Sequence, residues 1–244
     1  MEKPGLGRER NAGKGLGVSP TYSCTKVDRV DPNRLRKNKI ITLFPEEALT
    51  DQMKILRSQV LNQMEEIGGN SLLVTSPNPG EGKTWTAINL AISMSHKLDQ
   101  TVLLVDANLR TPAVHRYLGL DCREGLSDYL LREAEIPDLL VSPGIEKLVL
   151  LPGGLALTHS VEFLGSQRME ALVKEMKERY ADRFIIIDGS PLLTSADSLV
   201  LSRFVDAVLL VVASERTQAK TVVRAMELLA GRRVIGAVLN QSRD

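Results

Sequence analysis

The sequence predicts an α/β fold of three layers, a mostly parallel sheet flanked by helices, preceded by a flexible basic tail. Three observations carry this expectation. Short aliphatic runs alternate with helical patterns along most of the 244 residues. Runs such as Val102-Leu103-Leu104-Val105 and Phe184-Ile185-Ile186-Ile187 are apolar on both faces, which suits parallel strands covered on each side. The first such run passes through a glycine- and proline-rich turn directly into an amphipathic segment, the strand–loop–helix order of a parallel unit. Composition agrees: the chain is 43% hydrophobic and 25% charged, and with aromatics at 4% its core must be aliphatic.

Taken in order, residues 1–39 hold five glycines, few large apolar side chains and no periodicity, and read as mostly disordered. Residues 1–40 carry ten Lys or Arg against four Asp or Glu, so a +6 tail precedes a −5 domain over 41–244. Such a tail suits an anionic lipid surface or an acidic partner, or serves only as a solubilising arm. Pro45-Glu46-Glu47 looks like a helix start, and Leu49, Met53, Leu56, Val60 and Met64 follow at helical spacing until Gly68-Gly69. Strands are expected over 71–76, 101–106, 147–151, 183–188, 205–213 and 233–240. Helices are expected over 84–97, 112–118, 125–132, 167–180, 195–203 and 217–230. Leu151 to His159, with its glycine pair, reads as a loop. The run Lys174 to Arg179 is a solvated helix face with paired charges.

No apolar run approaches the roughly 18–20 residues that span a bilayer, and the basic N-terminus lacks the apolar segment of a secretory signal. Cys24 and Cys122 have no metal or redox spacing and read as free thiols of a cytosolic protein. His96, His115 and His159 share no metal-ligand spacing.

Chemistry concentrates at three strand ends. Ser71 to Thr84, SLLVTSPNPGEGKT, ends in Gly82-Lys83-Thr84. Backbone amides of such a turn and of the following helix point at a polyanion, the lysine reaches the β/γ-phosphates and the hydroxyl ligates Mg²⁺. The strict G-x-x-x-x-G-K-[ST] pattern lacks its first glycine, because Pro77 stands there. Asp106 ends the second strand and Asp188 a later one, so in a parallel sheet both emerge beside the loop. Either carboxylate can hold Mg²⁺ or accept a proton from an attacking hydroxyl, where a lone strand-end aspartate would only cap a turn. The fold is therefore expected to be a phosphate-loop NTPase.

The runs S-P-N-P-G-E-G-K-T, L-L-V-D-A-N-L-R-T-P and I-I-I-D-G-S-P-L-L, in this order, resemble the three Walker motifs of bacterial tyrosine kinases, the autokinases that govern exopolysaccharide and capsule synthesis. The resemblance covers about residues 45–244. It includes Asp51-x-x-Lys54-x-x-Arg57, similar to the family's E-x-x-R-x-x-R oligomerisation motif, the block T-Y-S-C-T-K-V around Tyr22, and Glu162-x-Leu164-Gly165-Ser166. It accounts for Pro77, since the family uses S-x-x-P-G-E-G-K. Partitioning and division-site ATPases, the third and weakest reading, carry a signature lysine where this chain has Asn78, and the acidic domain also speaks against a nucleic-acid partner.

The resemblance implies ATP and Mg²⁺ as cofactors. It implies Lys83, Asp106 and Asp188 as catalytic residues, and Thr84, Asp106 and Asp188 around the metal. The nucleotide would meet Ser76, Pro79, Gly80, Glu81, Gly82, Lys83, Thr84, Trp85, Arg110 and Asn240. Arg110 resembles the second motif's arginine, beside the phosphates or an oligomer contact, while a solvated loop charge is its plain reading. Trp85 more readily packs than stacks on a base, and Asn240 looks like a base-side residue. The segment Gln241-Ser242-Arg243 makes no guanine-reading pattern. The implied partners are a separate membrane activator of the chain-length-determinant type and further copies of the chain through the 45–67 helix. The implied location is cytoplasmic, peripheral at the inner face of the plasma membrane.

Two departures bear on catalysis. The family's Asp-x-Asp reads Asp106-Ala107-Asn108 here, removing a negative charge near the metal. The last residues hold no tyrosine cluster: the tyrosines are Tyr22, Tyr117, Tyr129 and Tyr180, of which Tyr22 in the tail is the candidate acceptor. The alternative, from another class, is an ATP-binding regulatory module that switches assembly with nucleotide.

Overall fold

The computed structural model describes residues 26–44, 48–97, 100–132, 134–179 and 182–242. Most of the expected tail, the helix start Pro45-Glu46-Glu47, Tyr22, Cys24 and Tyr180 lie outside them. Eighteen elements are described: β1 (Lys26–Val27), α1 (Pro32–Lys37), α2 (Ala48–Glu66), β2 (Ser71–Thr75), α3 (Lys83–Ser95), β3 (Thr101–Asp106), α4 (Val114–Leu118), α5 (Leu126–Arg132), α6 (Ile136–Leu139), β4 (Val141–Ser142), β5 (Leu148–Leu151), α7 (Ser160–Leu164), α8 (Gln167–Glu178), β6 (Arg183–Asp188), α9 (Asp197–Leu201), β7 (Ala207–Ala213), α10 (Ala219–Leu228) and β8 (Val234–Asn240).

The strands form one sheet in the order β1-β4-β5-β3-β6-β2-β7-β8, parallel except for the pairing of β4 with β5. Alternation along each strand divides the core. Leu72, Val74, Leu104, Phe184 and Ile186 face one layer, with Val60 and Met64 of α2 and Ile88 and Ile92 of α3. Leu73, Leu103, Val105, Ile185 and Ile187 face the other, with Leu172 and Met176 of α8. Burial on both faces is what the unbroken aliphatic runs require.

The structured region begins earlier than the expected boundary at residue 40. Lys26 and Val27 pair with Val141 and Ser142, and Leu35 and Ile40 are buried. Asp31 caps α1 by accepting from the Asn33 amide at 2.9 Å, with Pro32 in the first turn. The basic composition of this stretch hid two anchoring apolar residues and a good helix start. Among the described residues no helix is long and apolar enough to cross a membrane.

At the amino-terminal edge of the sheet, Asp206 accepts from the amides of Asn70 and Ser71 at 3.0 and 3.1 Å and from the Ser71 hydroxyl at 2.7 Å, and pairs with Lys177. Burial would raise its carboxyl, but Lys177, Ser71 and Asn70 hold it below the usual range. This cluster fixes the start of β2, and hence the height at which its carboxyl end delivers the next loop.

Candidate active site

Three strand ends meet at the carboxyl edge. Strand β6 lies between β2 and β3, and the register sets Asp106 opposite Asp188 and Val74 opposite Asp188. The loop 76–82 therefore leaves β2 beside two fully buried carboxylates. Gly80 and Gly82 adopt φ of +78° and +94°, conformations that favour glycine, and Gly82 stands at the amino end of the 13-residue helix α3. Lys83 Nζ donates to Thr84 Oγ1 at 3.2 Å, and Thr84 Oγ1 donates to Asp188 Oδ2 at 2.6 Å. Asp106 Oδ2 accepts from the amides of Ala113 and Val114 at 2.8 and 3.0 Å, which locks the carboxylate in one orientation. The second oxygens, Asp106 Oδ1 and Asp188 Oδ1, are buried without a partner.

Burial and the neighbouring Asp188 charge push the Asp106 carboxyl up to about 7, against the pull of its backbone donors. Burial also raises Asp188, opposed by Lys83 and Thr84. Two buried carboxylates sharing one edge are strained when both are ionised. A divalent cation relieves that strain, and two free oxygens beside a threonine hydroxyl form the hard donor set that Mg²⁺ prefers. Among the described residues no group of three or more His, Cys, Asp or Glu forms a cage of its own. That fits a cation completed by substrate phosphates and water rather than held by protein alone.

Residues 72–230 match the family described as AAA domain. The chain is 30% identical over 210 residues to the tyrosine-protein kinase YwqD of Bacillus subtilis (strain 168), covering 85% of this chain and 87% of that protein. This chain belongs to the bacterial tyrosine kinase family. Solved structures agree. The chimerical protein CapA2B2 superposes with a TM-score of 0.78 at 28% identity, over 90% of this chain and 94% of that one. The kinase domain of the Escherichia coli tyrosine kinase ETK gives 0.76 at 27%, over 84% and 82%.

In this bacterial tyrosine kinase the remaining expected nucleotide residues divide into two groups. Pro79 and Gly80 are exposed on the loop, and Gly82 and Lys83 are half-buried beside it. The side chains of Ser76, Glu81 and Trp85 turn away from that surface. Buried Ser76 donates its hydroxyl to the Asn78 carbonyl at 2.8 Å. Glu81 is 3% exposed and accepts from the Asn78 amide at 3.0 Å, the Asn78 side chain at 3.1 Å and the Thr217 hydroxyl. Trp85 donates its indole N–H to the Lys39 carbonyl at 2.6 Å and packs on the core. These three shape the kinase's phosphate loop and hold its amino-terminal segment through side-chain contacts that spacing could not reveal. Asn240 reaches the loop from β8 and donates to the Glu81 carbonyl at 3.0 Å, while Gln241 donates to the Gly80 carbonyl at 3.0 Å.

Asn108 is buried, and its amide donates to the Thr111 carbonyl and hydroxyl at 3.2 and 2.9 Å, a donor role that an aspartate could not fill. Arg110 lies 3.6 Å from the buried Asp197, a residue that no sequence pattern singles out. On α2, Asp51 and Lys54 pair at 2.8 Å on an exposed face, whereas Arg57 donates to the Ser93 carbonyl near the end of α3 at 2.7 Å. Tyr117 packs against the core and Tyr129 lies under the Arg168 guanidinium at 4.5 Å.

Proposed function

We propose that this bacterial tyrosine kinase is an ATP-dependent protein-tyrosine autokinase of exopolysaccharide or capsule biosynthesis. The observation that carries the reading is the meeting of Lys83, Thr84, Asp188 and Asp106 at one edge, with two buried carboxylate oxygens left unpartnered. The loop amides and Lys83 bind the β- and γ-phosphates of ATP. Thr84 and Asp188 would hold Mg²⁺, with Asp106 adding only its charge nearby, and the ion would neutralise charge on the transferring phosphoryl group.

Asp106 orients the tyrosine. Its Oδ2 is tied to two amides, so the free Oδ1 is the atom that accepts the phenolic proton. The phenolic oxygen then bonds to the γ-phosphorus as the bond to ADP breaks. Catalysis is positioning and electrostatics, with little covalent work for the protein.

The partners of this reading are a separate membrane chain-length-determinant activator whose tail docks at the loop edge, and further copies of the chain meeting through α2. The basic segment 1–40 keeps the protein at an anionic inner leaflet. Tyr22, outside the described residues, is the candidate acceptor.

A phosphotransfer assay with ATP, Mg²⁺ and the activator tail tests this. Phosphotyrosine is expected and should vanish in Lys83→Met. If ATP binds, no phosphotyrosine forms and Lys83→Met changes only assembly, the kinase reading fails. That outcome favours a nucleotide-switched regulatory module, the reading supported by Asn108 in place of a second aspartate. Mass spectrometry of active protein tests Tyr22, and an unmodified Tyr22 there removes it as acceptor.

A further inference from the structure

A third buried carboxylate stands at the same edge. Asp197 opens α9, nine residues after Asp188, and is fully buried. Its Oδ2 accepts from the Ser160 hydroxyl at 2.8 Å and lies 3.6 Å from Arg110 Nε, while its Oδ1 has no partner. A carboxylate without exposure is costly to bury unless its charge is used, and a purely structural link to Ser160 needs only an amide.

The charge is used on Arg110. That side chain is 45% exposed, and among the described residues its two Nη groups have no protein partner. Held along its Nε edge, the guanidinium presents a free two-pronged donor, the geometry that matches phosphoryl oxygens. Its loop follows Asp106, and the Leu109 carbonyl is tied to the Leu157 amide at 2.8 Å. The segment leading to Asp197 is tied in turn to the phosphate loop. Leu192 and Leu193 donate to the carbonyls of Ser76 and Pro77 at 2.8 and 3.1 Å.

We propose that Asp197 is a positioning residue that holds Arg110 toward the terminal phosphoryl group of the bound nucleotide, with Ser160 fixing the carboxylate. This rests on the nucleotide reading above. It makes Arg110 a reader of the γ-phosphoryl group, and Asp197 the residue that sets its reach.

The test is a double-mutant cycle on the full chain with Mg²⁺, measuring equilibrium binding of fluorescent ATP and ADP analogues. Asp197→Asn keeps an acceptor for Ser160 and removes the counter-charge. Both Asp197→Asn and Arg110→Gln should lower the ratio of ATP to ADP affinity about tenfold, with ADP affinity unchanged. The double variant should be no worse than Arg110→Gln. Additive effects, or an unchanged ratio in either single variant, overturn the proposal.

Should Asp197→Asn fail to fold, Arg110→Lys on the half-exposed partner decides. An ammonium cannot both pair with Asp197 and present a fork, so the tenfold loss should persist, and a wild-type ratio overturns the proposal. A wild-type chain that binds neither nucleotide overturns the nucleotide reading itself, and this inference with it.

Discussion

Gly82 offers a quantitative test of how the phosphate loop is held. Its φ of +94° disfavours any side chain, and a Cβ there would lie 1.9 Å from Asn240 Nδ2. The left-handed conformation costs alanine about 1–2 kcal/mol. The collision is with the end of a side chain, so the Asn240 amide can swing away, and the added cost is its bond to the Glu81 carbonyl, about 1 kcal/mol. Gly82→Ala should therefore cost about 2–3 kcal/mol. Gly80 has φ of +78°, but a methyl group there would meet nothing within 4 Å, so Gly80→Ala should cost only the conformational part, about 1–2 kcal/mol. Asn240→Ala alone should cost about 1 kcal/mol. Because Gly82→Ala already forfeits that bond, the double variant should be no less stable than Gly82→Ala, a coupling of about 1 kcal/mol. Urea unfolding of the four proteins measures this. Equal costs at Gly80 and Gly82, or strictly additive behaviour of Gly82 with Asn240, would refute the contact.

Other outcomes follow from the same geometry. Asp206→Ala should cost about 3 kcal/mol in urea unfolding, because it strands two amides, a hydroxyl and Lys177, while the affinity for ATP stays within a few-fold of wild type. Since the folded state depresses this carboxyl, its contribution is complete above about pH 4, the unfolded value, and is lost as pH falls through the lower folded value. Asp106 has the opposite sign. Its carboxyl is raised to about 7, so without nucleotide its contribution is complete below about pH 4 and fades as pH rises to 7, and Asp106→Asn should flatten that decline in calorimetric scans. Trp85→Phe should lose about 1 kcal/mol of stability with its bond to Lys39, yet leave ATP affinity unchanged; a tenfold weaker affinity would return Trp85 to the nucleotide site.

What could be read from the sequence was whatever repeats at short range. Aliphatic runs with no polar face marked the central strands, and the shared direction of parallel strands was enough to place Asp106 beside Asp188. The two-residue strands at Lys26–Val27 and Val141–Ser142 have no period to detect. Asp206 and Asp197 were invisible for another reason. Asp206 satisfies groups 135 and 136 positions away, and Asp197 a hydroxyl 37 away, so each was a lone aspartate in the chain. Glu81 and Ser76 lie inside the motif, but the pattern marks the loop without saying which way its side chains turn. Packing decided that: Thr217 and Asn78 offered Glu81 donors on the inner side.

The proline at position 77 has a physical account in these contacts. A trans peptide points its C=O and N–H in opposite directions, so a carbonyl tied to the outside turns its amide inward. The carbonyls of Ser76, Pro77, Gly80 and Glu81 are held from outside by Leu192, Leu193, Gln241 and Asn240, and that of Gly82 by the next helical turn through Thr86. The amides paired with the last three, those of Glu81, Gly82 and Lys83, thereby point away from these clamps, the arrangement that an anion-binding loop needs. Positions 77 and 79 lie outside that set, and the Asn78 amide is already used by Glu81. Prolines there remove donors that the loop does not need while stiffening its entry. A leading glycine would supply freedom that the outer clamps have replaced. Asn240 and Gln241 thus hold two of the carbonyls that orient the phosphate loop.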